Sequence, residues 1–253
     1  QALMKFAPEK TWIHAFTDGR DVRPHSAVDD LAELPTDRIA TVVGRYYAMD
    51  RDKRWDRIER ALDAIVKGEG EHADDPIAAV RASYDRDVTD EFIEPHTIVA
   101  NGAPVAPMRD GDAVICFNYR ADRMRQIVRV LTTDDFAGFS IADRPTVYLV
   151  TMTQYDQTFT TPIAFAPRTM VNIVGEVIAD AGLHQLRTAE TEKYAHVTYF
   201  FNGGRETPFA CEERLLVPSQ KVATYDLAPE MSARGITDDL CGAIAGSEQD
   251  FIL

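Results

Sequence analysis

The stretch Asp112-Ala113-Val114-Ile115-Cys116-Phe117, running directly into Asn118-Tyr119-Arg120-Ala121-Asp122-Arg123, decides the fold. Its first half is short, apolar and rich in β-branched residues, the composition of a strand. Met124, Ile127, Val128 and Leu131 follow at the spacing of one helical face. A strand that feeds a charged loop and then a helix is the unit of α/β architecture, and such crossings hold the binding groups of open α/β sheets. Arg120 and Arg123 stand three apart in that loop, so one helical turn can aim both guanidinium groups at a single anion.

The same design recurs upstream. A strand expected over Thr11 to Phe16 runs into Asp18-Gly19-Arg20-Asp21, and one over Ile39 to Val43 runs into Gly44-Arg45-Tyr46-Tyr47-Ala48-Met49-Asp50-Arg51. Any one of these sets alone reads equally as a turn with solvated charges or a surface ion pair. Three sets, each at a strand end, point to a cleft lined with guanidinium forks that suits a small, highly anionic substrate. In the first set, Arg20 would anchor the anion and Asp21 would accept a hydrogen bond or a proton from a substrate hydroxyl.

Outward from these motifs, Trp55, Ile58, Leu62 and Ile65 predict an amphipathic helix over Asp52 to Lys67, ended by Gly68. Asp75-Pro76 predicts a capped helix start, Thr97 to Met108 a hairpin turning at Asn101-Gly102, and Val147 to Met152 a strand. The proline-containing stretch Thr160 to Pro167 is the expected linker, dividing domains at 1–165 and 166–253. Beyond it, Met170, Val171, Val174, Val177 and Ile178 predict a helix ended by Gly182, His196 to Phe201 a strand, and Asn202-Gly203-Gly204 a hairpin-like turn. Glu190-Thr191-Glu192-Lys193-Tyr194-Ala195-His196 is the densest charged cluster of this half. It reads either as a solvated loop or as a lysine held charged between acids, suited to neutralising a phosphoryl group.

Composition bounds the rest. With 253 residues, 45% hydrophobic positions and a net charge of −14, the chain can form one or two ordinary cores. The acidity and the absence of a basic stripe argue against a nucleic-acid partner. No apolar run reaches the length of a membrane span, so no membrane partner is expected. Cys116, Cys211 and Cys241 are few and widely spaced, which fits a reduced, cytoplasmic setting. The six histidines show no ligand spacing, and neither a phosphate-binding P-loop nor a dinucleotide fingerprint is present.

These blocks together carry a family resemblance. His14 to Asp21, Gly44 to Trp55, Asn118 to Gln126, Glu190 to Arg205 and Lys221 to Ala233 resemble the signature blocks of cofactor-independent phosphoglycerate mutase. The resemblance implies an α/β fold: a mostly parallel transferase domain that orients substrate, plus an incomplete domain of the alkaline-phosphatase-like superfamily. It implies a glycolytic isomerase that interconverts 3-phosphoglycerate and 2-phosphoglycerate through a phosphoserine, with two manganese ions and as a monomer. By motif position, Arg20, Asp21, Arg45, Arg51, Arg120 and Arg123 resemble the family's phosphoglycerate-binding groups, and Lys193 the catalytic lysine beside nucleophile and phosphate.

The sequence also departs from the family. No counterpart is found for the segment bearing the nucleophilic serine, a metal-binding aspartate and a substrate-binding histidine, or for the later one holding both metals, so no metal ligand is assigned. Gln1 and the strand-like Asp250-Phe251-Ile252-Leu253 suggest a piece of something longer, expected to be inactive by itself. A metal-dependent phosphomutase of another substrate and a non-catalytic anion-binding fragment are the alternatives. Ala210-Cys211 stands where the family tends to glycine, and Gln220 where it tends to proline.

Overall fold

The computed structural model describes residues 5, 7–168 and 170–253, and the chain divides into two compact units, Gln1–Phe165 and Ala166–Leu253. The first unit contains β1 (Ile13–Thr17), α1 (Ala27–Ala32), β2 (Ile39–Gly44), α2 (Arg45–Ala48), α3 (Trp55–Val66), β3 (Glu71–Ala73), α4 (Pro76–Tyr84), β4 (His96–Ala100), β5 (Ala103–Pro104), β6 (Ala113–Cys116), α5 (Arg125–Thr132) and β7 (Tyr148–Thr151). Its larger sheet has the order β1-β2-β4-β3 with β5 on β4, and β6 pairs with β7 separately.

Strand β2 is buried along its whole length, which matches its unbroken apolar run. Val42 packs with Ala15, Leu31, Val80 and Ile93, while its neighbour Val43 packs with Tyr47, Ala48 and Ala61. Alternation along one strand thus serves two helical layers, α1 with α4 and α2 with α3. Helix α3 buries Ile58, Leu62 and Ile65, as its periodicity predicts. Asp75 caps α4, its carboxylate accepting from the Ala78 N–H at 2.7 Å. The Asn101-Gly102 turn has φ of +53° and +79° and joins β4 to β5.

The second unit contains α6 (Val174–Asp180), β8 (Gln185–Glu190), α7 (Thr191–Ala195), β9 (Glu212–Val217), α8 (Ala233–Gly246) and β10 (Phe251–Ile252). Strand β8 is central, with β10 and β9 parallel on either side. Of the seven ladders between named strands among the described residues, five are parallel and the β2–β4 and β4–β5 pairs antiparallel. The larger sheet of the first unit is therefore mixed, and the β6–β7 and β10-β8-β9 sheets are parallel.

Three expectations for this unit need correction. The strand expected at His196 to Phe201 is helical: α7 continues into a π-helix over His196–Phe200, with the Phe201 N–H reaching the His196 carbonyl at 3.2 Å. Its β-branched and aromatic composition favours a strand, but Thr198 is buried and donates its hydroxyl to the Tyr194 carbonyl at 2.7 Å, as a helical neighbour does. Asn202-Gly203-Gly204 is accordingly not a hairpin. Both glycines have positive φ, and the Gly204 N–H caps the Tyr199 carbonyl at 2.8 Å, closing the helical run. Helix α6 begins at Val174, so Met170 and Val171 lie outside it and are exposed.

Candidate active site

The arginine motifs sit at the carboxyl ends of β1, β2 and β6, all within the first unit. Asp18 turns the chain after β1: its Oδ1 accepts from the backbone N–H groups of Arg20 and Asp21, each at 2.9 Å. Gly19 is required there on two counts. Its φ is +68°, and a Cβ would lie 2.6 Å from the Glu91 nitrogen. Gly44 closes β2 in a similar way, because a Cβ would lie 2.5 Å from the Glu91 oxygen and its N–H donates to the Ile93 carbonyl at 2.8 Å. Both loops therefore rest on the turn at 90–93.

Arg45 begins α2 with its side chain only 3% exposed. One of its terminal nitrogens donates to Asp18 Oδ1 at 2.6 Å and to Asp21 Oδ2 at 3.0 Å. Asp21 also lies 3.5 Å from Arg120, and Arg120 Nε donates to Asp122 at 2.8 Å. The other Asp122 oxygen accepts from Arg51 at 2.6 Å. Arg123 donates to the Met49 carbonyl at 3.0 Å, beside Arg51 in sequence. Arg20 pairs with Glu91. Aspartates thus join Arg45, Arg120 and Arg51 into one connected network, with Arg123 tied to the backbone next to it.

The electrostatics follow from these contacts. Burial acts to raise the Asp18 carboxyl, but hydrogen bonds from the Asp21 and Arg20 backbone and from Arg45 outweigh it and hold it below the ordinary carboxylate range. The Arg45 hydrogen bond does the same for Asp21. Asp122 is depressed despite its burial, by hydrogen bonds from Arg120 and Arg51. Burial opposes the charge on Arg45, and its bonds to Asp21 and Asp18 more than compensate. Arg20, Arg45, Arg51 and Arg120 each pair with at least one of Asp18, Asp21, Asp122 and Glu91, and Arg123 bonds to a backbone carbonyl.

Two supporting residues, Asp50 inside the second motif and Tyr155 outside all three, were given no role by the sequence. Asp50 is buried and accepts from the N–H groups of Asp52 and Arg54 at 2.9 and 3.0 Å, shaping the loop that presents Arg51. Here burial prevails and raises the carboxyl. The buried Tyr155 hydroxyl sits against the carbonyls of Cys116 and Asn118 and fixes the loop leaving β6. Its own pKa is raised by burial. Only the run of apolar and aromatic residues around such positions could have hinted at them.

Lys193 lies in the second unit, on α7, exposed and without an ion pair among the described residues. Its segment is fastened to neighbouring loops. Glu190 accepts from the Ser219 hydroxyl at 3.3 Å and the Ser232 N–H at 3.2 Å, and Thr191 Oγ1 accepts from the Ser219 N–H at 3.1 Å. Among the described residues, no group of three or more His, Cys, Asp or Glu side chains could hold a metal ion. Nor is any helix there long and apolar enough to cross a membrane.

The chain as a whole is similar to known proteins. The chain is 53% identical to the 2,3-bisphosphoglycerate-independent phosphoglycerate mutase of Moorella thermoacetica, over 97% of this chain and 49% of that protein. It is 51% identical to the protein of the same name from Clostridium acetobutylicum, over 100% of this chain and 51% of the relative. The chain spans about half the length of the curated relatives it matches. Among solved structures it resembles a Leishmania mexicana phosphoglycerate mutase crystallised at low cobalt concentration, with a TM-score of 0.85 and 30% identity over 95% of this chain and 47% of that one. The family model described as the BPG-independent PGAM N-terminus matches residues 1–157, and the chain belongs to that family.

Proposed function

We propose that this chain forms the substrate clamp of a cytoplasmic, monomeric phosphoglycerate mutase that interconverts 3-phosphoglycerate and 2-phosphoglycerate through a phosphoserine. One observation carries the reading: Asp21 and Asp122 join Arg45, Arg120 and Arg51 into a single network at three strand ends. In a chain of net charge −14, such a concentration of guanidinium is suited to a small polyanion. Arg20 and Arg120 have side chains about 40% exposed, so an incoming carboxylate or phosphate can reach both guanidinium groups.

Within the clamp the residues take distinct parts. The arginines hold the glycerate while its phosphoryl group is away, so that it can turn and present its other hydroxyl. Retention matters because loss of the glycerate would leave a phosphoserine to water, and isomerisation would become hydrolysis. Asp21 is held ionised by Arg45, which makes it a weak base and a good acceptor. It therefore orients a substrate hydroxyl rather than taking its proton. Lys193 neutralises the phosphoryl group in transit.

Family resemblance implies manganese, but the described residues of this chain do not form a site for it, and no step here is routed through a metal. Calorimetric titration tests the clamp. Saturable binding of 3-phosphoglycerate, weaker in Arg120→Ala and Arg123→Ala, is expected, with 2-phosphoglycerate competing and hexose phosphates binding more weakly. Indifference between phosphoglycerates and hexose phosphates would overturn the assignment.

A further inference from the structure

We infer that Glu91, which lies in none of the arginine motifs, is a positioning residue that sets the orientation of Arg20 for anion binding. The inference rests on the phosphoglycerate reading above. Glu91 is buried, and the Arg20 guanidinium donates to its carboxylate through one terminal nitrogen. Arg20 is 40% exposed, so part of its side chain stays open to solvent while one terminal nitrogen is engaged.

The turn bearing Glu91 is itself rigidly held. Asp90, wholly buried, accepts from the N–H groups of Ser26 and Ala27 at 2.7 and 3.0 Å and from the Tyr84 hydroxyl. Its N–H donates to the Pro24 carbonyl at 2.9 Å, and its carbonyl accepts from Thr17 Oγ1 at 2.7 Å. Phe92 packs on Tyr46, the residue after Arg45, with ring centroids 5.3 Å apart. One turn therefore fixes the loops after both β1 and β2.

Charge selectivity gives Glu91 its task. The other carboxylates near Arg20 in sequence, Asp18 and Asp21, are already engaged by Arg45, and Asp21 also by Arg120. With those two engaged, Glu91 is the carboxylate that fixes Arg20, and without it the guanidinium would lose its set orientation. A neutral glutamine can still accept one hydrogen bond from Arg20, so it should preserve part of the orientation.

A double-mutant cycle on the 253-residue chain separates this role from a merely structural one. Glu91→Ala is expected to weaken 3-phosphoglycerate binding about five- to twenty-fold, Glu91→Gln by less, and either change to cost nearly nothing in an Arg20→Ala background. Additive losses in the cycle would overturn the inference and leave the clamp standing. Failure of the unsubstituted chain to bind 3-phosphoglycerate would overturn both. Should Glu91→Ala unfold in a thermal melt, the Glu91→Gln cycle decides in its place, with the same two outcomes.

Discussion

At the scale of single residues, the candidate site is a set of carboxylates whose surroundings push them in opposite directions. Asp18, Asp21 and Asp122 are depressed below the ordinary value of 3.8, so the unfolded chain binds their protons more readily than the folded one. Their contribution to stability is complete above about pH 3.8 and is lost as the pH falls through the lower folded values. Asp50 has the reverse sign, since burial raises it and ionisation works against folding. Replacing Asp122 with alanine removes the buried carboxylate shared by Arg51, itself 11% exposed, and Arg120, and should cost about 3 kcal/mol at neutral pH. Asp50→Asn removes a disfavoured charge while keeping an acceptor for the Asp52 and Arg54 amides, and should cost less than about 1 kcal/mol. Urea midpoints measured between pH 7 and pH 3 check both: the Asp122→Ala chain should lose less stability on acidification than the parent. A larger cost for Asp50→Asn than for Asp122→Ala would show that the sign assigned to burial is wrong.

At the scale of elements, close backbone approach decides where the arginines point. A Cβ on Gly44 would meet the Glu91 oxygen at 2.5 Å and the Ile93 nitrogen at 2.7 Å, and neither is the end of a flexible side chain. Gly44→Ala should therefore cost about 1–3 kcal/mol and weaken phosphoglycerate binding through the adjacent Arg45. Gly102→Ala meets no atom within 4 Å but sits at a φ of +79°, so it should cost about 1 kcal/mol and leave binding unchanged. Thermal melts paired with titrations separate the two cases. In the first unit β2 was legible from its apolar run and α3 and α5 from their spacing, whereas α1, α2 and β3 are short and were not expected. Strand β8 was not legible, because it buries Gln185, Arg187, Thr188 and Glu190, polar types that read as exposed. Arg187 achieves this by lying over the rings of Phe201 and Phe251, with carbon-to-centroid distances of 4.8 and 5.1 Å. Those two rings are distant in sequence, so no local pattern announces them. The three arginine motifs were legible as a set, Asp50 standing inside one of them, whereas Glu91 and Tyr155 act through contacts that only the fold creates.

At the scale of the whole molecule, the candidate site residues are divided unequally between the two units. Among the described residues, the ion pairs and hydrogen bonds given above for Arg20, Arg45, Arg51, Arg120 and Arg123 lie within Gln1–Phe165. The cores around β2 also lie inside that unit, including the packing of Ala15, Ile39, Val42 and Ile93 that seats the first two arginine loops. Lys193 alone among the candidate site residues belongs to Ala166–Leu253. Anion binding should therefore travel with the first unit. A fragment of residues 1–165 is expected to melt cooperatively and to bind 3-phosphoglycerate within about threefold of the 253-residue chain, because the charge-assisted contacts assigned to the ligand are retained. In the full chain, Lys193→Ala should leave that binding nearly unchanged, since its assigned task begins only when a phosphoryl group is in transit. Calorimetry on the fragment and on the Lys193→Ala chain checks the division. A fragment that folds but does not bind would move the clamp's essential contacts into residues 166–253, and the arginine network would then be a structural lattice rather than the seat of the substrate.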